Sequence, residues 1–119
     1  MKLADIVQRG WEALGAGNLD ALVSDYTDDM IFIMPGQSNV LEGAAAFRSA
    51  LGQLNTILPP GFEIKGLRHL EGNHEVVTIV EWSSARVPTS QLSILFRFRG
   101  EQIFEVRWFI DTKQWDAAF

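Results

Sequence analysis

At 119 residues, with 47% apolar and 21% charged side chains, the chain suits a single domain, residues 1–119, large enough to bury its own core. It has no cysteine, which excludes thiol nucleophiles, cysteine-ligated zinc and disulfides, and its net charge of −5 comes without a Lys/Arg cluster for a nucleic acid to bind. The longest unbroken apolar run, Met30 to Met34, falls far short of a membrane span, and Asp5 and Arg9 interrupt the stretch a signal peptide keeps apolar. The expectation is a cytoplasmic domain with neither membrane nor nucleic-acid partners.

Leu3, Ile6, Val7, Trp11 and Leu14 recur at helical spacing and predict an amphipathic helix over 3–15, stopped by Gly15 and Gly17. Asn18 is the expected N-cap of a short second helix, with Asp20 in its first turn and Leu19, Leu22, Val23 and Tyr26 on its apolar side. The β-rich run Met30-Ile31-Phe32-Ile33-Met34 predicts a strand ended by Pro35-Gly36. A third helix follows Gly43, carries Phe47, Ala50, Leu51, Leu54 and Ile57 on one side, and stops at Pro59-Pro60-Gly61.

From Phe62 onward the pattern predicts four long strands, 62–71, 74–85, 91–99 and 103–111. With Gly100-Glu101-Gln102 as the last loop, Phe98 faces Phe104, Phe96 faces Val106, Ile94 faces Trp108, and Arg97 meets Glu105 as a cross-strand ion pair. Pairing Trp82 with Ile94 then extends an apolar row, Trp82–Ile94–Trp108, on the face expected to take the helices. The opposite face mixes Val77, Ile79, Leu95 and Phe109 with Glu81, Arg97, Glu105 and Arg107. An apolar patch dotted with both charge signs suits a two-fold contact, so a homodimer through this outer face is expected.

The segments Gly17-Asn18-Leu19-Asp20, Tyr26-Thr27-Asp28-Asp29-Met30, Leu41-Glu42-Gly43 and Trp108-Phe109-Ile110-Asp111, in this order over nearly the whole chain, resemble the NTF2-like superfamily, and within it the SnoaL-like and ketosteroid-isomerase-like group. The resemblance implies an α+β cone, with three N-terminal helices packed on a curved, mostly antiparallel β-sheet around a deep apolar pocket, and dimerisation through the sheet's outer face in many members. It also permits a subtraction. The general base of ketosteroid isomerases corresponds to Met34 here, and their oxyanion-hole groups correspond to Gly10 and Ile94. The inward acid of limonene-epoxide hydrolases corresponds to Trp108. None of these four side chains can transfer a proton, so neither mechanism has its groups. Tyr26 matches a tyrosine that family members carry near the pocket.

Three side chains remain as candidates for catalysis. Asp111 matches an acid that SnoaL-like cyclases use as a base, although strand alternation turns it outward and Thr112-Lys113-Gln114-Trp115 offers it a helix to cap. Arg68 shares the inner face with Thr78 if the Gly72 loop has three residues, whereas a bulge at Gly66 turns it out to water. Tyr26 is the third. His69, Glu71, His74 and Glu75 cluster around a turn and read as a polar hairpin tip rather than a metal site. Gly15-Ala16-Gly17-Asn18 follows a helix and lacks a third glycine, which rules out a dinucleotide loop, and no cofactor is expected.

The expected pocket lining is Trp11, Tyr26, Phe32, Met34, Trp82, Ile94 and Trp108, mostly aromatic and apolar as small-molecule sites are. The leading expectation is a domain that holds a small apolar molecule without known chemistry. The alternatives are an isomerase, polyketide cyclase or hydrolase using a non-standard polar set, and a structural module that binds a partner through its outer face.

Overall fold

The computed structural model describes residues 1–34 and 40–119. Helices α1 (Leu3–Gly15) and α2 (Leu19–Val23) lead into strands β1 (Tyr26–Ile33) and β2 (Leu41–Glu42), followed by helices α3 (Ala44–Leu51) and α4 (Leu54–Ile57). The long strands β3 (Glu63–Glu71), β4 (Glu75–Ser83), β5 (Ser90–Arg99) and β6 (Gln102–Phe109) precede the C-terminal helix α5 (Thr112–Ala117). Six strands form one mixed sheet in the order β2-β1-β6-β5-β4-β3, with β1 parallel to β6 and every other pair antiparallel. The α+β class is as expected, but the expected set of three N-terminal helices needs correction. The third divides at Gly52-Gln53 into α3 and α4, and α5 adds a helix after the sheet. No helix among the described residues is long and apolar enough to cross a membrane.

Local chemistry explains the element ends. Gly17 takes a left-handed φ of 74° and closes α1, a conformation that costs glycine little. The Asn18 side chain accepts from the Ala21 N–H at 3.1 Å, the expected cap of α2. The start of α1 has no cap of its own; Glu71, 67 residues away on β3, accepts from the Ala4 N–H at 2.9 Å instead. Tyr26 departs from expectation, opening β1 instead of ending α2. Asp25 C=O accepts from the Ile103 N–H, and Tyr26 sits beside Ile103, so pairing with β6 overrides the local helical pattern. The expected stop at Pro35-Gly36 lies outside the described residues.

The β5–β6 register holds from Arg97↔Glu105 to Ile94↔Trp108, but not at the tip. There Phe98 faces Ile103 rather than Phe104, and the turn is the two residues Gly100-Glu101. A bulge absorbs the extra residue, and through it Ile103 and Val106, three apart, both point into the core at 2% exposure. Phe104 is left on the outer side under the guanidinium groups of Arg97 and Arg99, 5.4 and 5.1 Å from its centroid. The β4–β5 expectation is also corrected: Trp82 faces Ser90, and Ile94 faces Thr78. The slip is an even number of residues, so every side chain keeps its expected face. On β3 the register shifts between Ile64 and Gly66, and Arg68 lies opposite Ile79 and His69 opposite the buried Thr78.

The helices cover the inner face, where Val76, Val80, Trp82, Leu92, Ile94, Phe96 and Val106 join Ile6, Val7, Leu22 and Phe47 in one buried core. The outer face carries Val77, Ile79 and Leu95, partly buried, and Phe109, half exposed.

Candidate functional site

Between the helices and the inner face lies a cavity of about 110 Å³. A single water needs roughly 10–15 Å³ on the same kind of measure, so the space is much larger than a packing defect. Helix α1 contributes Trp11 and Gly10 to its wall, α3 contributes Phe47 and Leu51, and the sheet contributes Phe32, Ile94, Phe96 and Trp108. A Cβ on Gly10 would lie 3.2 Å from Leu22 Cδ1, so the missing side chain lets α1 close tightly on α2 at this wall. A second cavity of about 370 Å³ adjoins it, lined by Met34, Leu41, Ile57 and Trp115 among others. The two share a neck of Phe32, Phe47, Leu51, Leu54, Leu58 and Trp108. Aromatic contacts hold the neck: Phe32 lies 5.6 Å from Phe47 and 6.2 Å, edge-on, from Trp108.

Almost every side chain on the inner wall is apolar. The exceptions are Asp25, Tyr26 and the indole edge of Trp11. Asp25 follows α2 and is held by Arg9 of α1, whose Nε donates to Oδ2 at 2.8 Å while Nη2 donates to Oδ1. The Asp25 side chain is only 12% exposed, against 47% for Arg9, so the ion pair is buried on its acid side and open on its basic side. Tyr26 packs on Phe47 at 5.1 Å, and burial, with a smaller contribution from Asp25, pushes its hydroxyl well above the usual phenol range. At neutral pH it is a protonated donor. Trp11 Nε1 is buried without a hydrogen-bond partner among the described residues.

Residues 7–106 match the family model for the SnoaL-like domain. The chain belongs to this family. Solved structures agree at the level of fold. A Xanthomonas campestris protein of unknown function with a cystatin-like fold superimposes with a TM-score of 0.80 at 23% identity, covering 99% of this chain and 97% of that one. An NTF2-like protein from Burkholderia xenovorans gives a TM-score of 0.78 at 18% identity, over 98% and 94% of the two chains. A further Xanthomonas campestris protein, provisionally titled a polyketide cyclase, gives 0.74 at 20% identity, over 98% and 96%. No curated protein sequence matches this chain.

Within this SnoaL-like domain the side chains singled out from sequence divide three ways. Trp11, Tyr26, Phe32, Ile94 and Trp108 line the inner cavity, and Met34 lines the adjoining one. Trp82 lines neither. It stacks on Phe62 at 5.6 Å and meets Trp115 edge-on at 5.4 Å, because the corrected β4–β5 register carries it four residues along the sheet from Ile94. Arg68 points outward into solvent, because the tight turn after Glu71 pairs Glu71 with Val76 and so sets Arg68 opposite the outward-facing Ile79; the bulge before Gly66 shifts only Glu63 and Ile64. Asp111 is exposed and caps α5, accepting from the Lys113 and Gln114 N–H groups at 3.0 and 3.1 Å. Neither Arg68 nor Asp111 therefore reaches the cavity.

The polar hairpin also separates. His69 turns under α1, its Nδ1 2.8 Å from Thr78 Oγ1 and its Nε2 2.7 Å from Gln8 Oε1, while Glu71 caps α1 and His74 and Glu75 stay exposed. No three His, Asp or Glu side chains among the described residues converge to hold a metal. Sequence reasoning passed over Asp25. As a lone acid after a short helix it carries no motif, and its relation to Arg9 and to the cavity exists only once α1 crosses α2.

Proposed function

We propose that this SnoaL-like domain binds a small, predominantly apolar molecule in the inner cavity. One observation carries the reading: a cavity of about 110 Å³ under the helices whose wall is aromatic and aliphatic except at Asp25, Tyr26 and Trp11. Such a wall desolvates an apolar body efficiently, at roughly 25 cal/mol per Å² buried, and leaves orientation to a few polar atoms. The test is titration of the purified protein with steroids, terpenoids and polyketide aromatics, following tryptophan emission and thermal stability. Trp11 and Trp108 sit on the cavity wall, so an occupant shifts their emission, and it raises the melting temperature by mass action. A panel that moves neither signal removes the reading.

A second reading, an isomerase, cyclase or hydrolase, draws on the polyketide-cyclase title of one structural relative and on the presence of a carboxylate, Asp25, in the cavity wall. Both Asp25 oxygens are engaged by Arg9, which favours a fixed acceptor over a mobile base. For assembly, we propose a homodimer through the outer sheet face. Support comes from Phe109, 50% exposed, beside Leu95, Val77 and Ile79, and from Glu105, which is buried on that face between Arg97 at 3.4 Å and Arg107 at 3.5 Å.

A further inference from the structure

We propose that the inner cavity selects a neutral ligand bearing a hydroxyl group, alcohol or phenol, which donates to the Asp25 carboxylate and accepts from the Tyr26 hydroxyl. The inference rests on the binding reading above and specifies its ligand class. Asp25 and Tyr26 are consecutive residues, so their Cα atoms are about 3.8 Å apart, and both residues line the same cavity. Their chemistries are complementary rather than redundant. An ionised carboxylate only accepts, whereas a phenol held protonated by burial is available to donate.

Arg9 engages Asp25 with two hydrogen bonds, one to each oxygen, and each oxygen keeps a further lone pair. A hydroxyl is the smallest neutral group that satisfies an acceptor and a donor at once. A ketone or ether meets only Tyr26 and leaves Asp25 without a new donor. A ligand carboxylate is repelled by Asp25, the more strongly because the surrounding wall is apolar. The remaining wall, Phe47, Ile94, Phe96 and Trp108 included, asks only for an apolar body.

A matched set on one ring system tests this: naphthalene, 2-methoxynaphthalene, 2-naphthol and 2-naphthoate, titrated by tryptophan emission and calorimetry. The expected result is 2-naphthol bound about tenfold or more tighter than naphthalene and its methyl ether, with 2-naphthoate weakest, since a hydrogen bond to a charged group is worth about that much. In Tyr26→Phe the naphthol advantage shrinks while naphthalene binding persists. Asp25→Asn abolishes the charge discrimination, so naphthoate approaches naphthalene in affinity. Should Asp25→Asn not fold, the wild-type series and Tyr26→Phe decide alone. Equal binding of all neutral members overturns the hydroxyl assignment and leaves the apolar-binding reading standing. Binding by none of them overturns both.

Discussion

Arg9 on α1 grips both carboxylate oxygens of Asp25, a residue sixteen positions later that forms part of the inner cavity wall. The pair therefore does two things at once. It ties the first helix to the α2–β1 junction, and it fixes the one carboxylate the cavity presents. Arg9→Gln leaves Asp25, 12% exposed, without its counter-ion, and is expected to lower the melting temperature. Adding Asp25→Asn to that variant should cost less than the two single losses summed, because the second change removes the orphaned charge. A double-mutant cycle in thermal unfolding measures the coupling; strict additivity contradicts it.

Two tryptophans separate binding from stability. Trp82 is 2% exposed inside an aromatic cluster with Phe62 and Trp115, and it lines neither of the two cavities. Trp82→Ala should cost about 3–5 kcal/mol of stability and leave the affinity of the remaining folded protein unchanged. Trp108 stands in the neck between the two cavities. Trp108→Ala should abolish or greatly weaken binding of planar apolar compounds in a protein that still folds. Denaturant unfolding and ligand titration on both variants check the pair, and matching affinity losses would contradict the assignment.

The outer sheet face yields a prediction on assembly. Sedimentation should report about twice 13.3 kDa, and Leu95→Glu should halve that mass while leaving the fold intact. A charge at Leu95 beside Val77 and Arg107 opposes the desolvation that an apolar interface requires. A wild-type monomer at high micromolar concentration rules out the dimer.

Stability should depend on pH in two separate windows. Burial beneath α1 lowers the His69 pKa from its ordinary 6.5, so the folded state binds the proton less readily than the unfolded chain. This contribution is complete above pH 6.5 and is lost as pH falls from there toward the depressed folded value. Asp29 is lowered chiefly by the neighbouring Thr27 hydroxyl, with the charge of Arg99 adding to it, and Glu63 by Lys65. Their contributions are present above the ordinary carboxylate values of 3.8 and 4.5 and are lost at more acid pH. Melting curves from pH 2 to pH 8 should show the upper inflection in the wild type and not in His69→Asn, with the acid-side loss common to both (a flat wild-type profile near pH 6 contradicts the His69 assignment).

What the sequence determined by itself were the patterns of period and of chemistry at short range. Helical spacing from Leu3 to Leu14 set α1, Asn18 its successor's cap, and alternation along β4 and β5 assigned both sheet faces even where the pairing slipped. An even slip preserves alternation, so face assignment survives an error in register. Tertiary structure decided what alternation leaves free: the pairing of Trp82 with Ser90, the bulge that carries Ile103 and Val106 inward together, the turn after Glu71 that sets Arg68 outward, and the capture of Tyr26 by β6. It also decided the polar end of the cavity. Asp25 and Arg9 have no local pattern in common; a helix crossing brings them together, and burial gives the pair its place in the site.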